Sequence, residues 1–152
     1  MLLPSCSLGT PISSLLVISM LIIPMACKVS SFNPSTYTDD YITIGDGGGI
    51  AGIERSYHIL TNGAVYQEST LDTVQTKLPS IDPAAVRQSI ASYKNLALDE
   101  YSYQEPGNIY KFITFHVDGK KNRLVWQEEG KMHKSCNQIY HILRDLIQKD
   151  KK

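Results

Sequence analysis

The sequence predicts an α+β domain: an antiparallel sheet of about five strands, in the order β-β-β-α-β-β-α, with two helices on one face. Three observations carry this. Runs of period-two alternation end on Asn62-Gly63 and Asp118-Gly119, pairs that favour tight hairpins and therefore antiparallel neighbours. Two stretches, after Asp82-Pro83 and after Lys134, space their apolar residues as a helix does. Glycines at 45, 47, 48, 49 and 52 crowd between two alternating runs, where residues without Cβ let a sheet turn a corner.

The chain of 152 residues suffices for one domain with one core. No Asp, Glu, Lys or Arg occurs before Lys28. Leu15 to Cys27 is apolar, too short to span a bilayer as a helix and interrupted by Pro24. It suits the core of a signal peptide, and Ala26 supplies the small residue that a signal peptidase needs before Cys27. Ile22-Ile-Pro-Met-Ala-Cys27 resembles a bacterial lipobox, which implies cleavage before Cys27 and acylation of its thiol. The division expected is residues 1–26 as a lipoprotein signal peptide, 27–40 as a polar tether and 41–152 as a single α+β domain. An ordinary secreted chain and an uncleaved short anchor are the alternatives. Several acyl chains on Cys27 would hold the domain to a membrane stably, where one would not. Lys28-Val-Ser-Ser follows the cysteine instead of acidic residues, which favours a periplasm-facing anchor. Cys6 leaves with the signal peptide, so Cys136 is the one thiol left in the domain and no disulfide forms within it.

Lys28 to Asp40 lacks periodicity and contains Pro34, as a spacer does. The first strand is expected over Tyr41 to Ile44 and the second over Ile50 to Leu60. Asn62-Gly63 is expected as a type I′ turn into a third strand, Ala64 to Ser69. Ser69 to Ile81 reads as a polar connection. Asp82 caps the next helix and Pro83 fills its first position, where a missing N–H costs nothing. Val86, Ile90 and Tyr93 line one side of that helix, and Leu96 to Leu98 continue the burial. Asp99 to Gly107 reads as a solvated loop. Asn108 to Val117 is apolar on both faces, as a central strand is. It turns at Asp118-Gly119 into Asn122 to Gln127. Ser135 is the expected cap of the last helix, whose apolar stripe is Cys136, Ile139, Tyr140, Leu143, Leu146 and Ile147.

Several functions find no support. Acids and bases balance at 15 each, leaving no net field to attract nucleic acid. His58, His116, His133 and His141 show no metal-ligand spacing. No Gly-x-Ser-x-Gly elbow occurs. Gly47, Gly49 and Gly52 match Gly-x-Gly-x-x-Gly, but an alternating run follows instead of the helix a pyrophosphate needs. Neither an enzyme, a cofactor nor a metal is therefore expected. The candidate partner contact is the glycine segment itself, Gly47, Gly48, Gly49, Ile50 and Gly52, with a protein as the candidate partner. The membrane is reached through the lipid on Cys27, and the oligomeric state stays open.

Gly47-Gly-Gly-Ile-Ala-Gly-Ile53, the alternating run into Leu60-Thr-Asn-Gly63, and Pro106-Gly-Asn-Ile-Tyr110 resemble small uncharacterised lipoproteins of the Bacteroidota type. That resemblance implies an anchored cell-envelope domain and brings no activity with it. A looser likeness, carried by Gly48-Gly-Ile-Ala-Gly-Ile53 with a later helix and hairpin, is to emfourin-type inhibitors of thermolysin-like metalloproteases. It implies a non-enzymatic inhibitor that uses the glycine bend as its probe.

Overall fold

In the computed structural model the described residues are 32–149. The signal segment 1–26, Cys27 and the lysines at 151 and 152 lie outside them. Seven strands form one sheet: β1 Tyr41–Gly48, β2 Ile53–Leu60, β3 Val65–Ser69, β4 Asp72–Leu78, β5 Gln104–Glu105, β6 Ile109–Val117 and β7 Lys120–Trp126. The helices are α1, Pro83–Asn95, and α2, Lys134–Lys149. The strand order is β4-β3-β2-β1-β6-β7-β5.

This corrects the expected five-stranded antiparallel sheet twice. The stretch expected as a connection contains β4, paired antiparallel to β3 across Val65↔Leu78 and Ser69↔Asp72. An edge strand needs partners on one side only and can keep polar side chains, so its sequence lacks the alternation that marks an inner strand. The loop 99–107 contributes β5, which pairs parallel with β7 and makes the sheet mixed. Two residues are too few to show any period.

β1 and β6 are central and pair along their whole lengths, from Tyr41↔His116 to Gly48↔Ile109. One face of the sheet presents Ile42, Ile44, Tyr57, Ile59, Val65, Ile113, Phe115, Leu124 and Trp126 to both helices. Val86, Ile90 and Tyr93 of α1 and Cys136, Ile139, Tyr140, Leu143 and Ile147 of α2 close this core. Tyr93 stacks on Phe115 at 4.1 Å, and Trp126 meets Tyr140 edge-on at 5.2 Å. Cys136 is fully buried and unpaired, and burial pushes its thiol up to about 11.

Asp82 caps α1 by accepting from the Ala84 N–H at 2.9 Å. The helix closes with Ala97 at φ 49, its N–H donating to the Lys94 carbonyl and that of Leu98 to the Tyr93 carbonyl. This is a Schellman ending with alanine in the position glycine usually takes. It buries Leu98 alone, leaving Leu96 exposed, in place of the three buried residues expected. At α2 the cap is His133, not Ser135: its Nδ1 accepts from the Ser135 N–H.

The type I′ turn expected at Asn62-Gly63 does not form there. Gly63 has φ 84 but Asn62 does not have positive φ, and the Gly63 N–H donates to the Leu60 carbonyl. That is a three-residue loop with a glycine bulge. Asp118 and Gly119 are both left-handed, at φ 53 and 71, between Val117 and Lys120. The type I′ turn is therefore at Asp118-Gly119.

Candidate functional site

The face of the sheet away from the helices divides into two halves. The start of β1 carries Tyr41, the end of β2 carries Leu60, and Tyr66 of β3 lies beside them. Phe32, Tyr37 and Ala64 complete a second, smaller core here. Phe32 is 7% exposed, with ring centroids of Tyr37, Tyr41, His58 and Tyr66 at 5.2 to 5.4 Å. Phe32 and Tyr37, in the stretch assigned to the tether on sequence, thus pack against the sheet.

Beneath Phe32 runs a hydrogen-bonded chain. His58 Nδ1 lies 3.0 Å from Thr43 Oγ1, and Nε2 lies 3.1 Å from Glu68 Oε2. Burial lowers the His58 pKa, against the opposing pull of Glu68, so the ring is neutral at neutral pH. A carboxylate only accepts, so Nε2 carries the proton and Nδ1 accepts from the Thr43 hydroxyl. Hydroxyl, imidazole and carboxylate stand in the order of a nucleophile, its base and its orienting group. Thr43 is 5% and His58 8% exposed, with Phe32 against the imidazole. Buried in this way, the chain satisfies core polar groups.

The other half of the face is built on missing side chains. Gly45 and Gly47 do not mark the corner expected of them, since β1 keeps its register from Tyr41 to Gly48, whereas Gly49 and Gly52 lie in the turn from β1 to β2. Gly45 pairs with Phe112 and Gly47 with Tyr110. A Cβ at Gly45 would run into the Phe112 ring and the Arg55 carbonyl, and one at Gly47 into the Tyr110 ring. The β6 rings therefore lean across β1, and the Arg123 guanidinium lies 3.9 Å over the Phe112 ring. Glu54 of β2 receives Arg123 Nη2 at 2.8 Å and the Tyr110 hydroxyl at 2.9 Å. On the helix side, Asp46 receives Arg144 Nη1 at 2.7 Å, and the same nitrogen donates to the Tyr140 hydroxyl at 3.0 Å. The base of the β1–β2 hairpin is thus braced on both faces by an arginine–carboxylate pair.

Beyond the braces the tip is bare. Gly49 to Gly52 form a turn closed by the Gly52 N–H on the Gly49 carbonyl at 3.1 Å. Gly48, Gly49 and Gly52 have φ of 106, 76 and 60, which side chains with a Cβ resist. A Cβ at Gly49 or Gly52 would meet nothing within 4 Å, whereas one at Gly48 would strike the Asn108 carbonyl. Ile50 is fully exposed, at 109% of its reference area, and Ile109 beside the hairpin is 67% exposed.

Of the five candidate contact residues, Gly49, Ile50 and Gly52 lie in this tip. Gly48 joins it to the sheet, and Gly47 lies under Tyr110 inside the sheet. Sequence reasoning missed Glu54, Arg123, Asp46 and Arg144. Their pairs span 69 and 98 residues of chain, and no local pattern links them. Among the described residues no group of three or more His, Cys, Asp or Glu could hold a metal. No helix among them is long and apolar enough to cross a membrane. No protein-family model matches the chain, and no curated protein matches it either.

Proposed function

We propose that this chain is a lipid-anchored, non-enzymatic protein of the cell envelope, periplasm-facing, whose domain binds a protein partner through the tip of the glycine hairpin. The observation that carries the binding role is Ile50. An aliphatic side chain left wholly in water costs free energy that a partner's pocket would recover, about 1.5–3 kcal/mol for full burial. Bracing of the hairpin below it reduces the ordering cost of binding. The uncharged apolar leader ending at Cys27 supports the anchor. The covering of Thr43 and His58 supports a role without catalysis.

The anchor is tested by Cys27→Ser, which releases the chain from the membrane pellet into the soluble fraction; retention through a carbonate wash would refute it. The binding role is tested by capturing partners from envelope extract with the full chain and with Ile50→Asp. A protein retained by the first and lost with the second supports the tip as the contact; equal capture by both refutes it.

A second reading rests on the same tip. A small, uncharged apolar loop on a braced hairpin suits the cleft of a protease, as the likeness to emfourin-type inhibitors implies. Titration of a thermolysin-like metalloprotease to near one-to-one inhibition, lost with Ile50→Asp, would establish it. No inhibition at micromolar chain would retire it.

A further inference from the structure

Taking Cys27 as the acylated residue, as proposed above, we infer that residues 32–41 are a clasp that sets how the domain stands on the bilayer. It holds the glycine tip off the lipid surface and presents it to a partner on the aqueous side.

Phe32 is seated among four rings, and its N–H donates to Gln75 Oε1 at 3.2 Å. The chain after it turns on Asn33, whose carbonyl accepts from the N–H groups of Thr36 and Tyr37 at 3.1 Å each. Asp40 then fastens it to the β6–β7 turn. Its Oδ1 accepts from the Asp118 N–H at 2.9 Å, and its Oδ2 from Lys94 Nζ at 3.3 Å. Lys94 also reaches Asp118 Oδ1 at 2.9 Å. The attachment therefore acts from Phe32 and not from Tyr41.

That changes the reach of the anchor. Five residue steps from Cys27 to Phe32 span at most about 18 Å, whereas fourteen steps to Tyr41 would span about 50 Å. Phe32 lies against His58, which pairs with Thr43. From Thr43 to the tip at Ile50 the hairpin extends roughly 20 Å at about 3.3 Å per residue. A domain standing tip-down would need the chain to reach roughly 20 Å, beyond the about 18 Å it has, so the tether keeps the Phe32 end of the sheet near the lipid. The Asn62-Gly63 and Asp118-Gly119 turns, at the Tyr41 end of the sheet, face the lipid instead. The fully exposed Ile50 then meets a protein and not a membrane.

The experiment uses the full lipidated chain in vesicles whose headgroups carry an energy-transfer acceptor. A donor is placed on Lys120→Cys near the clasp or on Ala51→Cys at the tip. Transfer from position 120 is expected to exceed that from position 51 by at least about twofold, and Phe32→Ala is expected to bring the two close to parity as the tether lengthens. Emission from Trp126 reports whether that variant keeps its fold. If it does not, inserting roughly twelve Gly/Ser residues after Ser30 lengthens the tether with the clasp intact and is expected to abolish the difference in the same way. Equal transfer in the unaltered chain, or more from position 51, would overturn the clasp orientation while leaving the anchor standing. A chain that fails to partition into vesicles would overturn the anchor and the orientation together.

Discussion

The β1–β2 hairpin has two unlike ends. At Tyr41 and Leu60 it is crowded: Tyr41 stacks on His116 at 3.9 Å, and Phe32 seals the cluster. At Gly48 and Ile53 it is stripped of side chains, braced from above and below by Arg123 and Arg144, and finished by an isoleucine in water. One pair of strands thus fastens at one end and presents at the other. The rigidity comes from different physics in each half. Apolar burial holds the crowded end. At the bare end, backbone pairing and two half-buried ion pairs serve, because glycines offer nothing to bury.

Four measurements would break or sharpen that contrast. The largest effect is expected from Gly45→Val, which forces a branched side chain into the Phe112 ring and a backbone carbonyl. Urea denaturation should show a loss of about 3 kcal/mol or more. Next comes pH at the crowded end. Burial, the Lys121 charge and His58 lower the His116 pKa to about 4, and burial lowers that of His58. Between about pH 6.5 and 4 the unfolded chain takes up protons that the folded chain refuses, so stability falls as pH falls through that window. His116→Gln should remove about 1–2 kcal/mol of this dependence, seen as a flatter curve of melting temperature against pH. Gly49→Ala, strained in φ but free of clashes, should cost about 1 kcal/mol. Ile50→Asp should change stability by less than about 0.5 kcal/mol. If Ile50→Asp unfolds the domain, the tip is part of the architecture and not a contact.

Much of this fold was legible in the chain because its signals are local. Asp82-Pro83 announced α1 by chemistry within two residues, and β6 declared itself by nine residues apolar on both faces. The edge strands were not, since β4 has one neighbour and polar surroundings and β5 is two residues long. The type I′ expectation at Asn62-Gly63 failed because that pair and Asp118-Gly119 carry the same preference, and the flanking hydrogen bonds decide between a two-residue and a three-residue loop. For the candidate site, the glycines stood out but their reason did not. Gly45 is small because Phe112, 67 residues away in sequence, lies over it. The clasp was hidden because Phe32 and Tyr37 sit in a stretch with no period, and their burial depends on a sheet face formed by strands far along the chain.

The lone tryptophan of the chain sits on the helix-covered face at the end of β7, wholly buried, with its indole N–H unpartnered among the described residues. Such an environment shifts indole fluorescence to short wavelength, and exposure to water shifts it back. Every loss of structure that loosens α2 from the sheet is therefore written in the colour of one fluorophore, so the folded fraction can be followed by light alone, without labels, even on a membrane.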